Sequence, residues 1–249
     1  MRIIACYSNK GGVGKTATAV NLAYAFAASG KRTLLCDLDP QGASGFYFRV
    51  KPSKKLTKGR FFEDVERFTG AIRGSDYNNL DILPSNMSFR EFDIFLSRMK
   101  NSRSRLKKAL KAVKADYDVV VLDCPPNISM LSENVLRAAD AVIVPVIPTT
   151  LSQRTFEQLL EFSADSELSA DKIHAFFSMA QATKKLHGDT IEEMARSYPE
   201  RFLAAQIPFA SDIERMGLTR APVLATAPRS AAGNAYHALF EEIESRVEG

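Results

Sequence analysis

The chain has too little cysteine and histidine for sulfur or imidazole chemistry to organise it. Its 249 residues include three cysteines and three histidines. Three thiols cannot build a disulfide framework. Cys6, Cys36 and Cys124 each lie in or beside an apolar run and read as small buried residues of a reducing compartment. His174, His187 and His237 lack metal-ligand spacing. No apolar run approaches the ~18 residues that a transmembrane helix needs. The N-terminus enters a strand-like segment directly, which leaves no room for a signal peptide. No internal repeat, low-complexity tract or linker interrupts the sequence. At 45% apolar residues, a chain of this length can bury one full core, so one domain over residues 1–249 is expected.

What is present is alternation. Apolar strand-like runs occur at Ile3–Tyr7, Thr33–Leu38 and Val119–Leu122, and near 80–83, 141–146, 173–178 and 203–207. Helical spacing falls near 16–29, 62–69, 87–99, 102–115, 129–138, 152–168, 189–197 and 229–246. This order implies an α/β fold, with a mostly parallel twisted sheet, helices on both faces and right-handed crossovers.

Between the first strand and the first helix stands Lys10-Gly11-Gly12-Val13-Gly14-Lys15-Thr16. Strand, glycine-rich turn and helix form the setting of a phosphate-binding P-loop. Gly11, Gly12 and Gly14 let the backbone turn inward, so that its N–H groups converge on phosphate oxygens at the positive end of a helix. Lys15 supplies a mobile charge for the β- and γ-phosphates, and Thr16 a hydroxyl for Mg²⁺. The run Val119–Leu122 closes on Asp123. A buried parallel strand of that kind delivers a carboxylate to the Mg²⁺ shell at its carboxyl end.

Asn9 stands where the common P-loop pattern opens with glycine, and Lys10 follows it. A loop with lysine at both ends resembles the deviant Walker A motif of the ParA/MinD family of ATPases. That family sits within the wider group that includes nitrogenase iron protein. Cys36-Asp37-Leu38-Asp39-Pro40-Gln41-Gly42 is similar to the family's switch I in its ParA form, and Asp123-Cys124-Pro125-Pro126 to switch II. The likeness runs from about residue 2 to residue 246. It extends through Ala138–Val146 and from Arg220-Ala221-Pro222-Val223 to Gly233-Asn234-Ala235-Tyr236.

The resemblance implies a single-domain P-loop NTPase of the small ParA branch, without an N-terminal helix-turn-helix domain. It implies a switch that partitions or positions a large intracellular cargo, the alternatives being a plasmid or chromosome partition ATPase and a carboxysome-positioning, McdA-like member. ATP and Mg²⁺ are the implied cofactors. Lys10, Lys15 and Asp39 are the implied catalytic residues: Lys10 reaches a partner's nucleotide in an ATP homodimer, and Asp39 orients the attacking water. Gly11 to Thr16, Ala17 and Pro208 are the nucleotide contacts, Pro208 near the adenine, with the strand end at Ser178-Met179 beside it. Thr16, Asp37 and Asp123 hold Mg²⁺ directly or through its water shell. The implied partners are DNA bound without sequence preference and a ParB-like or McdB-like activating adaptor. The expected location is the cytoplasm, at the nucleoid. Ala17 replaces a second threonine common in the family. Phe209 and Asp212 stand where many members carry DNA-binding arginines, which shifts weight to Arg215 and Arg220.

Charge patterning agrees with a polyanion surface. Residues 98–114 carry Arg98, Lys100, Arg103, Arg105, Lys107, Lys108, Lys111 and Lys114 with no acid among them. Residues 49–60 carry Arg49, Lys51, Lys54, Lys55, Lys58 and Arg60, also without an acid. Contacts of this type go to phosphates, ignore sequence and weaken with salt. Phe46-Tyr47-Phe48 is expected to pack beneath the switch rather than to form a partner surface. Three rival classes fit less well. An iron–sulfur reductase needs interface cysteines that this chain does not place. A membrane oscillator needs a basic amphipathic end, whereas the segment from Phe240 to Gly249 is acidic and anionic lipid repels it. A non-catalytic nucleotide sensor does not need the hydrolytic residues that are all present here.

Overall fold

A computed structural model of the chain describes residues 1–248; Gly249, the end of the acidic C-terminal segment, lies outside them. The strands are β1 (Arg2–Cys6), β2 (Thr33–Asp37), β3 (Arg73–Gly74), β4 (Leu80–Leu83), β5 (Val119–Asp123), β6 (Ala141–Val146), β7 (Ile173–Ala180) and β8 (Phe202–Pro208). They form one eight-stranded sheet in the order β3-β4-β2-β5-β1-β6-β7-β8. Every pairing is parallel except the two-residue antiparallel edge β3. The helices are α1 (Lys15–Ala28), α2 (Ala43–Tyr47), α3 (Lys58–Glu63), α4 (Val65–Thr69), α5 (Phe92–Ser97), α6 (Arg105–Leu110), α7 (Met130–Ala138), α8 (Thr150–Asp165), α9 (Lys185–Ser197), α10 (Ser211–Thr219), α11 (Val223–Thr226) and α12 (Ala231–Glu248). Among the described residues no helix is long and apolar enough to cross a membrane.

Both faces of the sheet are covered, which is why its strands are apolar without alternation. Side chains one residue apart feed different cores. Ile3, Ala5, Tyr7, Val120 and Leu122 join the core beneath α3 to α9. Ile4, Cys6, Val119 and Val121 join the core beneath α1 and α10 to α12. The first core holds an aromatic cluster in which the Phe61 ring lies 4.8–5.4 Å from those of Phe62, Phe68, Phe89 and Phe92. That cluster anchors the long stretch between β2 and β5.

The strands expected at 80–83 and 141–146 match β4 and β6 residue for residue. The helices expected at 62–69, 87–99 and 102–115 are each interrupted. Asp64 is extended (φ −125°) and caps α4 through the Arg67 N–H, dividing α3 from α4. Met87–Glu91 and Ser102–Ser104 are 3₁₀ turns leading into α5 and α6. Helix α10 falls where no helix is expected, since Gly217 and a polar first turn weaken its signal.

The exposed edge strand β8 is partly closed by a side chain. The Glu242 carboxylate, from α12, accepts the N–H groups of Ala204 and Ala205 at 2.8 and 2.7 Å.

Phe61→Ala empties the centre of the aromatic cluster and should cost about 3–5 kcal/mol of unfolding free energy. Urea titration followed by circular dichroism measures it; a loss below about 1 kcal/mol would show that the cluster collapses freely around the gap.

Candidate functional site

The parallel register brings the motifs together. Cys6 and Asp37 both pair with Asp123, so β1, β2 and β5 end level with one another. The chain leaves β1 into the glycine turn, and Gly12 (φ 71°) and Gly14 (φ 95°) take left-handed conformations that a side chain would strain. Gly14 also packs closely, since a Cβ there would lie 3.1 Å from the Ser178 hydroxyl. Helix α1 then begins at Lys15 with no side-chain cap and no acid in its first turn. Its first N–H groups therefore face the turn unneutralised, as an anion site requires.

Lys15 is buried, and its ammonium donates to the Lys10 carbonyl at 2.9 Å. Burial lowers its pKa, while Asp123, Cys124 and Asp39 act in the opposite direction. Thr16 Oγ1 donates to Asp123 Oδ1 at 3.2 Å, and Ser44 Oγ donates to Asp123 Oδ2 at 2.8 Å. Asp37 accepts the Asp39 and Ser44 N–H groups, each at 3.1 Å, so this carboxylate holds the turn that follows β2. Asp39 is half-buried and accepts the Gln41 N–H at 3.0 Å. Asp37 and Asp123 are both fully buried. Burial pushes Asp123 up to about 6 against the hydrogen bonds from Ser44 and Thr16, and the Asp39 charge adds to the rise. Burial, then the charge of Asp123, lifts Asp37 well above the usual carboxylate range.

A cleft of ≈ 390 Å³ opens over the turn. Gly11, Gly12, Gly14, Lys15, Thr16, Ala17 and Asp39 form one side, while Ala43, Tyr47, Met179, Ile207, Ile213 and Tyr236 form a mostly apolar wall. Val13 is buried. One placement differs from the sequence reading. Pro208 lines a neighbouring cavity with Gln181 and His187 instead of the cleft, and Ile207 takes the cleft position. Lys10 lies outside the lining of its own cleft, with its ammonium donating to Ser152 Oγ at 2.9 Å near the start of α8.

Sequence reasoning passed over Ser44, Ser152, Ala43 and Ile213, because their pairing depends on strand register and crossover geometry; Met179 belongs to a strand end already expected near the adenine. Its backbone sets it apart as well, with a left-handed φ of 54° beside an irregular step in the β7–β8 pairing. The donors suit a hard divalent cation. Thr16, Asp37 and Asp123 offer oxygen alone, and a buried carboxyl pair gains most from a counter-charge. The three cysteines are buried, and no group of three or more His, Cys, Asp or Glu side chains placed to hold a metal occurs among the described residues.

The basic residues separate into two kinds. Arg98, Lys100, Lys107, Lys108 and Lys111 are exposed, Arg105 is half-buried, and Arg103 pairs with Glu133 at 3.1 Å. In the 49–60 stretch, by contrast, Arg49 meets Asp76 and Lys58 meets Glu91, acids brought from elsewhere in the chain. Arg215 is exposed on α10, whereas Arg220 is half-buried with its guanidinium 4.6 Å from the Phe46 ring centroid. Phe48 packs in the core as expected, but Phe46 is 48% exposed.

Comparison with known proteins agrees with this geometry. Residues 1–172 match the family described as an AAA domain. The chain is 31% identical to the sporulation initiation inhibitor protein Soj of Bacillus subtilis, covering 97% of this chain and 98% of that protein. It is 28% identical to the chromosome partitioning protein ParA of Myxococcus xanthus, over 98% and 88%. Its fold superposes on a cobyrinic acid a,c-diamide synthase from Mycobacterium smegmatis solved with ADP and magnesium. That match has a TM-score of 0.75, 30% identity, and coverage of 88% and 91%.

Without divalent cation, the raised Asp123 carboxyl makes stability fall as pH rises. Between about 4 and 6 the folded chain keeps a proton that the unfolded chain releases, a loss on the order of 3 kcal/mol at most. Asp123→Asn should remove that slope and raise the urea midpoint at pH 7 in EDTA. A midpoint that drops instead would show that the charged carboxylate stabilises the apo fold.

Proposed function

The chain belongs to the ParA/MinD family of P-loop ATPases and hydrolyses ATP with Mg²⁺, and from that we propose that it is a nucleotide-timed dimer switch. In the ATP state two copies close face to face and bind DNA without sequence preference. The switch partitions or positions a large intracellular cargo from the nucleoid surface in the cytoplasm, and a cargo-bound adaptor stimulates hydrolysis. The observation that carries this reading is the place of Lys10. Its ammonium rests on Ser152, outside the cleft that its own loop encloses. A lysine so placed leaves its own cleft short of one charge and is free to complete another.

The residues divide the work. The Gly11–Gly14 backbone and the start of α1 bind phosphate, and Lys15 moves from the Lys10 carbonyl to the β- and γ-phosphates. Thr16 and Asp123 hold Mg²⁺, with Asp37 behind them fixing the turn that carries Asp39. A divalent ion held there would supply positive charge at the transferred phosphoryl group. Asp39 at the cleft wall orients water, and the partner's lysine adds the remaining positive charge. Phosphoryl transfer needs such positioning more than covalent chemistry. The exposed ridge from Arg98 to Lys111, with Arg215, supports DNA binding by charge alone.

Fluorescence anisotropy of a random-sequence duplex tests the switch. Binding should require ATP, ignore DNA sequence and fall steeply with salt; equal affinity in ADP would overturn nucleotide timing. Lys10→Ala should retain ATP binding while turnover falls roughly 100-fold or more, by the scale of a charge supplied in trans. Normal turnover in that variant would remove Lys10 from the reaction.

A further inference from the structure

Arg49 and Arg220 are far apart in sequence, yet they occupy matching positions. Each stands just past the end of a short helix, α2 and α10, in the left-handed region, with φ of 58° and 51°. Each spends its guanidinium on the other helix. Arg220 Nε donates to the Phe46 carbonyl at 3.0 Å, near the end of α2, and lies over the Phe46 ring. Arg49 Nη1 donates to the Thr219 carbonyl, the last residue of α10, at 3.3 Å. Asp76 holds the opposite edge of Arg49 at 2.9 Å. The Phe46 carbonyl also accepts the Arg49 N–H at 3.2 Å; carbonyls at a helix end attract cations, so each arginine caps the helix that the other terminates.

The two helices flank the cleft. Ala43 and Tyr47 come from α2, and Ile213 comes from α10. Helix α2 follows Asp39 directly, with the Gly42 N–H donating to the Asp39 carbonyl at 3.0 Å. We infer that Arg49 and Arg220 form a reciprocal clasp that makes α2 and α10 one moving wall, so that closure of the Asp39 turn on a nucleotide is passed to α10. Arg220 is then a positioning residue for nucleotide retention and not a phosphate contact for DNA. The clasp lies at the surface, where a single ion pair adds little stability; its effect is to fix the relative position of two elements. This inference rests on the nucleotide reading of the cleft.

The left-handed backbone supplies a clean test, because glycine removes the guanidinium and relieves the strained φ together. Stopped-flow release of a fluorescent ADP analogue is measured for Arg49→Gly, Arg220→Gly and the double variant, with thermal unfolding alongside. Each single variant should release nucleotide about tenfold faster, the size of a modest coupling between sites. The double variant should be no faster than either, with unfolding temperatures unchanged. Arg220→Lys, which keeps the charge but loses the planar donor, should release like Arg220→Gly. Unchanged release, multiplicative effects in the double variant, or release that rises only as the unfolding temperature falls would each overturn the clasp. So would normal release in Arg220→Gly combined with a DNA salt slope lowered by about one, the mark of a lost phosphate contact. Failure of the wild-type chain to bind the analogue would instead overturn the nucleotide reading.

Discussion

Two carboxylates buried side by side cannot both be charged at low cost, and much of this structure is arranged around that conflict. Asp37 and Asp123 end adjacent parallel strands in register. Neither reaches water. Ser44 serves both, through its hydroxyl to Asp123 and its N–H to Asp37. Thr16 joins from α1, and the Asp39 N–H joins from the turn after β2. Three segments distant in sequence therefore meet because one pair of acids needs donors. The same need makes the site responsive, since a proton, a lysine or a divalent cation relieves the pair and each changes what the turn around Asp39 holds on to.

The sheet makes this expense tolerable. Ile4, Ala5, Cys6, Leu34, Leu35, Val120, Val121 and Leu122 are fully buried. The polar ends are held at the rim of a rigid apolar slab, where carboxyl ends of parallel strands place ligand-binding groups. Tyr7 extends the arrangement beyond the sheet, its hydroxyl donating at 2.9 Å to the Asn127 carbonyl in the turn after β5.

Much of this was legible in the sequence. Unbroken, β-branched apolar runs of four or five residues closed by aspartate read as buried parallel strands, and the Gly-rich turn before α1 carries its own backbone chemistry. The order of those motifs specified the α/β fold and named the loop residues. What escaped was whatever depends on pairing between distant segments. Ser44 looks like any serine until β2 and β5 are aligned. The stretch 49–60 is acid-free in sequence but not in space, since Asp76 and Glu91 arrive from other loops. Pro208 and Ile207 are neighbours in sequence, and the irregular pairing of β7 with β8 at this point leaves Ile207 at the cleft and Pro208 at the adjacent cavity. Helix α10 was hidden by Gly217, and its packing through the buried Met216 overrides weak local preference.

The two ends of the sheet also bear on how many copies can share a small volume. At one end β3 offers two residues, too short to recruit a strand. At the other, Glu242 occupies successive N–H groups of β8 and presents a carboxylate where an incoming backbone would dock. Open edges are where crowded sheet proteins polymerise. With both ends blunted, neither edge of the sheet offers an open template for strand-by-strand addition of another copy.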